Sequence, residues 1–137
     1  MKSKNIFLYT DGASRGNPGP SAIGVVITDT RGKVLKEFSK YIGETTNNIA
    51  EYNALIYGLD EALMLRAERI TVHLDSELVV KQLSGDYRVK DQDIKALFEK
   101  ARHSLGGFKS FEVVHIDRSQ NKTADKLANR AINLAGY

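Results

Sequence analysis

The chain has 137 residues, 42% of them hydrophobic and 27% charged, with no cysteine. That fits one domain, residues 1–137, with a proper core, and excludes disulfides, thiolate metal sites and thiol nucleophiles. A net charge of +3 and a pI of about 9.1 favour a polyanionic partner without requiring one. No apolar stretch is long enough to span a membrane, and the short apolar run in "MKSKNIFLYTDG" is unlike a signal peptide, so a cytoplasmic protein is expected.

Residues 5–10, "NIFLYT", read as a strand that ends on Asp11 and a turn rich in glycine and proline. Residues 22–28, "AIGVVIT", are apolar on both faces and read as a central strand. "DTRG" makes a turn, and 33–42 read as a third strand with imperfect alternation. From Asn47 to about Leu65, apolar residues recur at helical spacing. "RITVHLD" is a strand ending on Asp75, followed by a short helix over 76–83. Ile94, Leu97, Phe98, Ala101 and Leu105 mark another helix, "FKSFEVVHI" a fifth strand, and Ala124 to Ala135 a C-terminal helix. The order βββαβααβα predicts an α/β fold. Its mixed five-stranded sheet has three antiparallel strands, then parallel ones, with helices on both faces.

Four carboxylates occupy unusual places in this plan. Asp11 and Asp75 end apolar strands, and they would face one another if the first and fourth strands are neighbours. Glu51 lies near the start of the long helix, and Asp125 at the edge of the last helix's apolar stripe. Each also has an ordinary reading. Asp11 suits a turn, and Asp75 and Ser76 suit a helix cap. Glu51 suits a capping box with Asn48, and Asp125 suits the macrodipole of its helix. Four acids converging on one crevice would repel unless a proton or cation neutralised them, and oxygen-rich clusters select Mg²⁺ or Mn²⁺. The glycine-rich turn is no Walker loop, because no Gly-Lys-Ser or Gly-Lys-Thr follows it.

"YTDGASRGNPGP", "TTNNIAEYNAL", "LDSELVV" and "NKTADKLANRA", in that order, resemble the motifs of type 1 ribonuclease H across essentially the whole chain. The resemblance implies a ribonuclease H-like fold. It also implies an endonuclease that cuts the RNA strand of RNA–DNA hybrids, leaving 5′-phosphate and 3′-hydroxyl ends. Asp11, Glu51, Asp75 and Asp125 would be catalytic and hold two Mg²⁺ ions, with Mn²⁺ as a substitute. Gly12, Asn17, Asn47 and Asn48 would meet the substrate, Thr46 would grip a DNA-strand phosphate, and Arg118 would face the scissile phosphate. A monomer acting on the hybrid, with no membrane partner, is expected.

Two departures from the family stand out. "SGDYRVKDQD" replaces the long basic excursion many members carry, so weaker binding or other contacts are expected. His115 sits ten residues before Asp125, where a loop histidine would fit, yet it continues the alternation of Phe111 and Val113 and reads as a strand residue. His73 and His103 read as strand and helix-surface residues. Two other classes compete with the hybrid-cutting enzyme. A DNA-directed relative such as a junction resolvase is disfavoured by the three asparagines. A catalytically dead hybrid-binding module is disfavoured by the full set of acids.

Overall fold

The computed structural model describes residues 4–137. Five strands and four α-helices follow one another as β1 (Asn5–Ser14), β2 (Gly19–Asp29), β3 (Val34–Thr45), α1 (Asn47–Met64), β4 (Arg69–Leu74), α2 (Glu77–Leu83), α3 (Gln92–Leu105), β5 (Ser110–His115) and α4 (Lys122–Leu134). A 3₁₀ turn, Arg118–Gln120, precedes α4. The strands form one sheet in the order β3-β2-β1-β4-β5. β1 and β3 pair antiparallel with β2, whereas β4 pairs parallel with both β1 and β5, as the connection lengths require. The predicted element order and the mixed sheet are therefore those observed.

β2 is buried along nearly its whole length because both its faces are covered. α1 lies over Ile23, Val25 and Ile27 together with Ile6, Leu8, Val72 and Leu74, and its Tyr52, Leu55 and Leu59 are fully enclosed. α3 packs on the outside of α1. On the opposite face α4 sets Ala131 and Ile132 against Ala22. Gly24 is what brings α4 in so close: a Cβ there would stand 2.0 Å from the Ala124 carbonyl oxygen, next door to Asp125. β3 is one of the two edge strands, with no buried residue and with lysines along it. Its imperfect alternation has a physical cause, because the β2–β3 register shifts twice, between Ser21 and Ala22 and between Ile27 and Thr28.

Two strands differ from expectation in a way that matters. β1 does not end at Asp11. It runs on to Ser14 because β2 keeps pairing with it as far as Ser14 with Ser21, so the irregular turn shrinks to Arg15–Pro18. What ends near Asp11 is the parallel pairing with β4, whose last pair is Tyr9 with His73. Asp11 and Asp75 each stand two residues beyond that pair, so the sheet's own register sets them side by side. β5 is shorter than predicted, because Phe108 turns into the core before the strand begins. Among the described residues no helix is long and apolar enough to cross a membrane.

Candidate active site

At the end of the β1–β4 pairing, Asp11, Glu51 and Asp75 each place a carboxylate oxygen within 4.8 Å of the others. Each side chain is held by a different device. Glu51 is the fifth residue of α1, and its Oε1 accepts the Gly12 N–H at 2.8 Å. That contact needs β1 and α1 to touch, and only glycine permits it: a Cβ on residue 12 would lie 2.2 Å from the Ala50 carbonyl carbon. Asp75 is released from capping because Ser76 caps α2, its hydroxyl accepting the Val79 N–H at 3.3 Å. Asp75 Oδ2 instead accepts the amide of Asn121 at 2.9 Å, and the same Asn121 Nδ2 donates to the Thr10 carbonyl at 2.9 Å. The helix-cap reading of Asp75 therefore belongs to its neighbour. The capping box of Asn48 and Glu51 is absent too, because Thr46 caps α1 and accepts the Ile49 N–H at 3.3 Å.

Asp11 and Glu51 are buried, with 6% and 5% of their surface exposed, and no described residue forms an ion pair with either or with Asp75. Burial, followed by the charges of Glu51 and Asp75, pushes the Asp11 carboxyl up to about 10, and Asp125 adds to the rise. Burial likewise raises Glu51 to about 7, against the pull of the Gly12 N–H and the Arg118 guanidinium. A cluster of oxygen donors whose negative charge has so little compensation suits a hard divalent cation. The three acids fit such a group, since their ligand atoms already converge.

These three acids open onto a cleft of about 360 Å³, which Gly12, Ser14, Asn47, Ser76, Arg118 and Asp125 also line. Asp125 projects from the first turn of α4, outside the tight trio, with Asn129 Nδ2 donating to its Oδ1 at 3.2 Å. Asn17, Thr46 and Asn48 lie off the cleft wall. Asn17 Oδ1 accepts the Asn47 N–H at 3.0 Å, Thr46 is engaged as the cap, and Asn48 is exposed in the first turn of α1. Asn121 and Asn129 were not legible as site residues. Their partners lie on β1, just past the end of β4, or one helical turn away, and only the amide-rich "NKTADKLAN" run hints at them.

His115 is the last residue of β5, paired with Leu74, as its alternation suggests. Its side chain is exposed, however, so it has little packing to lose. His115→Ala is therefore expected to shift stability by less than about 0.5 kcal/mol in urea unfolding. Arg118→Ala, which removes the one guanidinium lining the cleft, should leave stability alone and lower turnover. A loss of turnover in the His115 variant that matches the Arg118 loss would overturn this assignment.

A family model described as reverse transcriptase-like matches residues 9–131. The chain is similar to ribonuclease HI of Halobacterium salinarum, with 42% identity over 128 residues, 93% of this chain and 64% of that protein. It is also similar to bifunctional protein Rv2228c of Mycobacterium tuberculosis, with 42% identity over 131 residues, 95% of this chain and 36% of that protein. The chain thus spans less than two thirds of the length of these relatives. Among solved structures, LC11-RNase H1 in complex with an RNA/DNA hybrid superposes with a TM-score of 0.90 at 47% identity, covering 95% of this chain and 98% of that one. With a family model spanning most of its residues and a shared backbone throughout, the chain belongs to the ribonuclease H family.

Proposed function

We propose that this chain is an endonuclease that hydrolyses the RNA strand of RNA–DNA hybrids with two divalent ions, leaving 5′-phosphate and 3′-hydroxyl ends. Residues 1–137 would act as one ribonuclease H domain and as a monomer. The observation that carries the reading is the convergence of Asp11, Glu51 and Asp75 at the floor of an open cleft, with Asp125 on its wall. It is supported by the hybrid complex of the similar LC11-RNase H1.

Asp11, Glu51, Asp75 and Asp125 would hold Mg²⁺, or Mn²⁺ in its place. When bound, the ions supply activation of the attacking water and stabilisation of the leaving 3′ oxygen. The chain's own part is positioning. Asn121 fixes one oxygen of Asp75, and the Gly12 N–H fixes one oxygen of Glu51, so neither acid must reorganise. Gly12's N–H is committed in this way, and its part at the substrate is to line the cleft. Arg118 brings positive charge to the scissile phosphate but cannot move a proton near neutral pH.

Asn17, Asn47 and Asn48 offer amide donors and acceptors for the hybrid's minor groove and 2′-hydroxyls, while Thr46 meets a DNA-strand phosphate. The 2′-hydroxyl is the one feature that separates RNA from DNA at every nucleotide. A DNA duplex carrying a short window of ribonucleotides in one strand should therefore be cut within or beside that window, mapped by end-labelled sequencing gels. Cleavage spread evenly over the deoxyribose tracts would remove the hybrid reading and favour a DNA-directed enzyme. Tight binding without cleavage would favour the binding module.

A further inference from the structure

Arg15 stands in the turn between β1 and β2, away from the acidic cluster, yet its guanidinium reaches two distant segments. Nη1 donates to the main-chain oxygen of Tyr137 at 2.8 Å and Nη2 to the Asn129 carbonyl at 3.2 Å. Asn129 is the residue whose amide donates to the backbone carbonyl of Asp125 at 3.0 Å and to its carboxylate at 3.2 Å. Tyr137 in turn stacks on Tyr41 of β3, with ring centroids 5.9 Å apart and planes 18° from parallel.

The other side of the same turn is fastened to the junction of β3 and α1. Ser14 and Ser21 hydroxyls both donate to the Thr45 carbonyl, at 3.0 and 3.2 Å, and Asn17 Oδ1 receives the Asn47 N–H. Asn47 opens α1, so its N–H has no partner within the helix, and Asn17 supplies one. The turn thus has one attachment to the helix that carries Glu51 and one to the helix that carries Asp125. The second attachment runs through Arg15. Charge-assisted bonds from a planar fork to two main-chain oxygens fix orientation as well as distance.

We propose that Arg15 is a positioning residue that clamps the turn bearing Asn17 to α4 and the 135–137 segment, so that the substrate-facing rim and Asp125 keep one geometry. This rests on the proposed hybrid-cutting activity. The clamp preorganises productive binding and takes no part in bond breaking.

The test compares wild type, Arg15→Ala and Arg15→Lys in steady-state cleavage of one hybrid, and in amide hydrogen exchange of the metal-free proteins. Arg15→Ala should raise KM roughly tenfold with a smaller fall in kcat, of about twofold, as the rim loosens and Asp125 is held less firmly. Arg15→Lys should recover part of the loss, because an ammonium can still reach a carbonyl. Exchange at the Asn47 amide should quicken about tenfold in Arg15→Ala while Leu55, inside α1, stays protected. An unchanged KM with unchanged Asn47 protection would overturn the clamp, as would a uniform rise in exchange across α1 that Lys does not rescue. If the wild type failed to cut hybrid at all, the proposed activity would fall, and the Asn47 exchange alone would decide the clamp.

Discussion

Asp11→Asn is expected to abolish cleavage, by on the order of a thousandfold or more at saturating Mg²⁺, while making the metal-free protein more stable. Both effects come from one charge. The carboxylate is a ligand, and asparagine of the same shape binds a hard cation far less well. Without a cation, however, that carboxylate is a burden, since folding raises its pKa from 3.8 to about 10. A group whose folded pKa lies above its unfolded value favours the fold fully only below the unfolded pKa. That contribution is lost as pH climbs from about 4 towards 10, so at pH 7 the metal-free wild type carries the penalty and the uncharged variant does not. Melting in EDTA at pH 7 should show the variant higher by roughly 5 °C, with the gap closing as pH falls towards 4. Asp75→Asn should abolish cleavage in the same way. Full activity of either variant at high Mg²⁺ would contradict the assignment of these acids.

Gly12→Ala is expected to cost about 3 kcal/mol or more in urea unfolding. The new Cβ would press against the carbonyl carbon of Ala50 at 2.2 Å and the amide of Glu51 at 2.4 Å, and backbone cannot step aside as a flexible side chain can. Relief requires β1 and α1 to separate, which breaks the Gly12 N–H bond to Glu51 as well. Activity should therefore fall in the fraction that stays folded. A variant within 1 kcal/mol of wild type and fully active would show that the contact has slack that these distances deny.

The fold was legible wherever burial wrote a period into the sequence. The apolar runs of β1, β2 and β4 and the spacing of Tyr52, Leu55 and Leu59 in α1 are one-sided or two-sided burial patterns, and the structure uses them as such. The four acids drew notice as charges at strand ends, near a helix start and on the edge of a core stripe, each with an ordinary turn or cap role, and the resemblance of their four motifs to ribonuclease H was what grouped them. What escaped was set by partners far along the chain. β1 continues past Asp11 only because β2 runs beside it, and nothing local in "DGASRGNPGP" says so. Thr46 rather than Asn48 caps α1, a two-residue choice that composition leaves open. Asn121 reaches Asp75 and Thr10, 46 and 111 residues away, and such bonds leave no periodic trace.

An acidic cleft that cuts RNA paired with DNA should tell a hybrid from either pure duplex. The most direct measurement is cleavage of one end-labelled sequence presented as RNA–DNA hybrid, as DNA duplex and as RNA duplex, by wild type and Asp11→Asn, with Mg²⁺ and with EDTA. Internal cuts in the RNA strand of the hybrid, by wild type with Mg²⁺ alone, are the predicted result. Equal cutting of the DNA duplex, or cutting that survives EDTA or the Asp11 substitution, would contradict it.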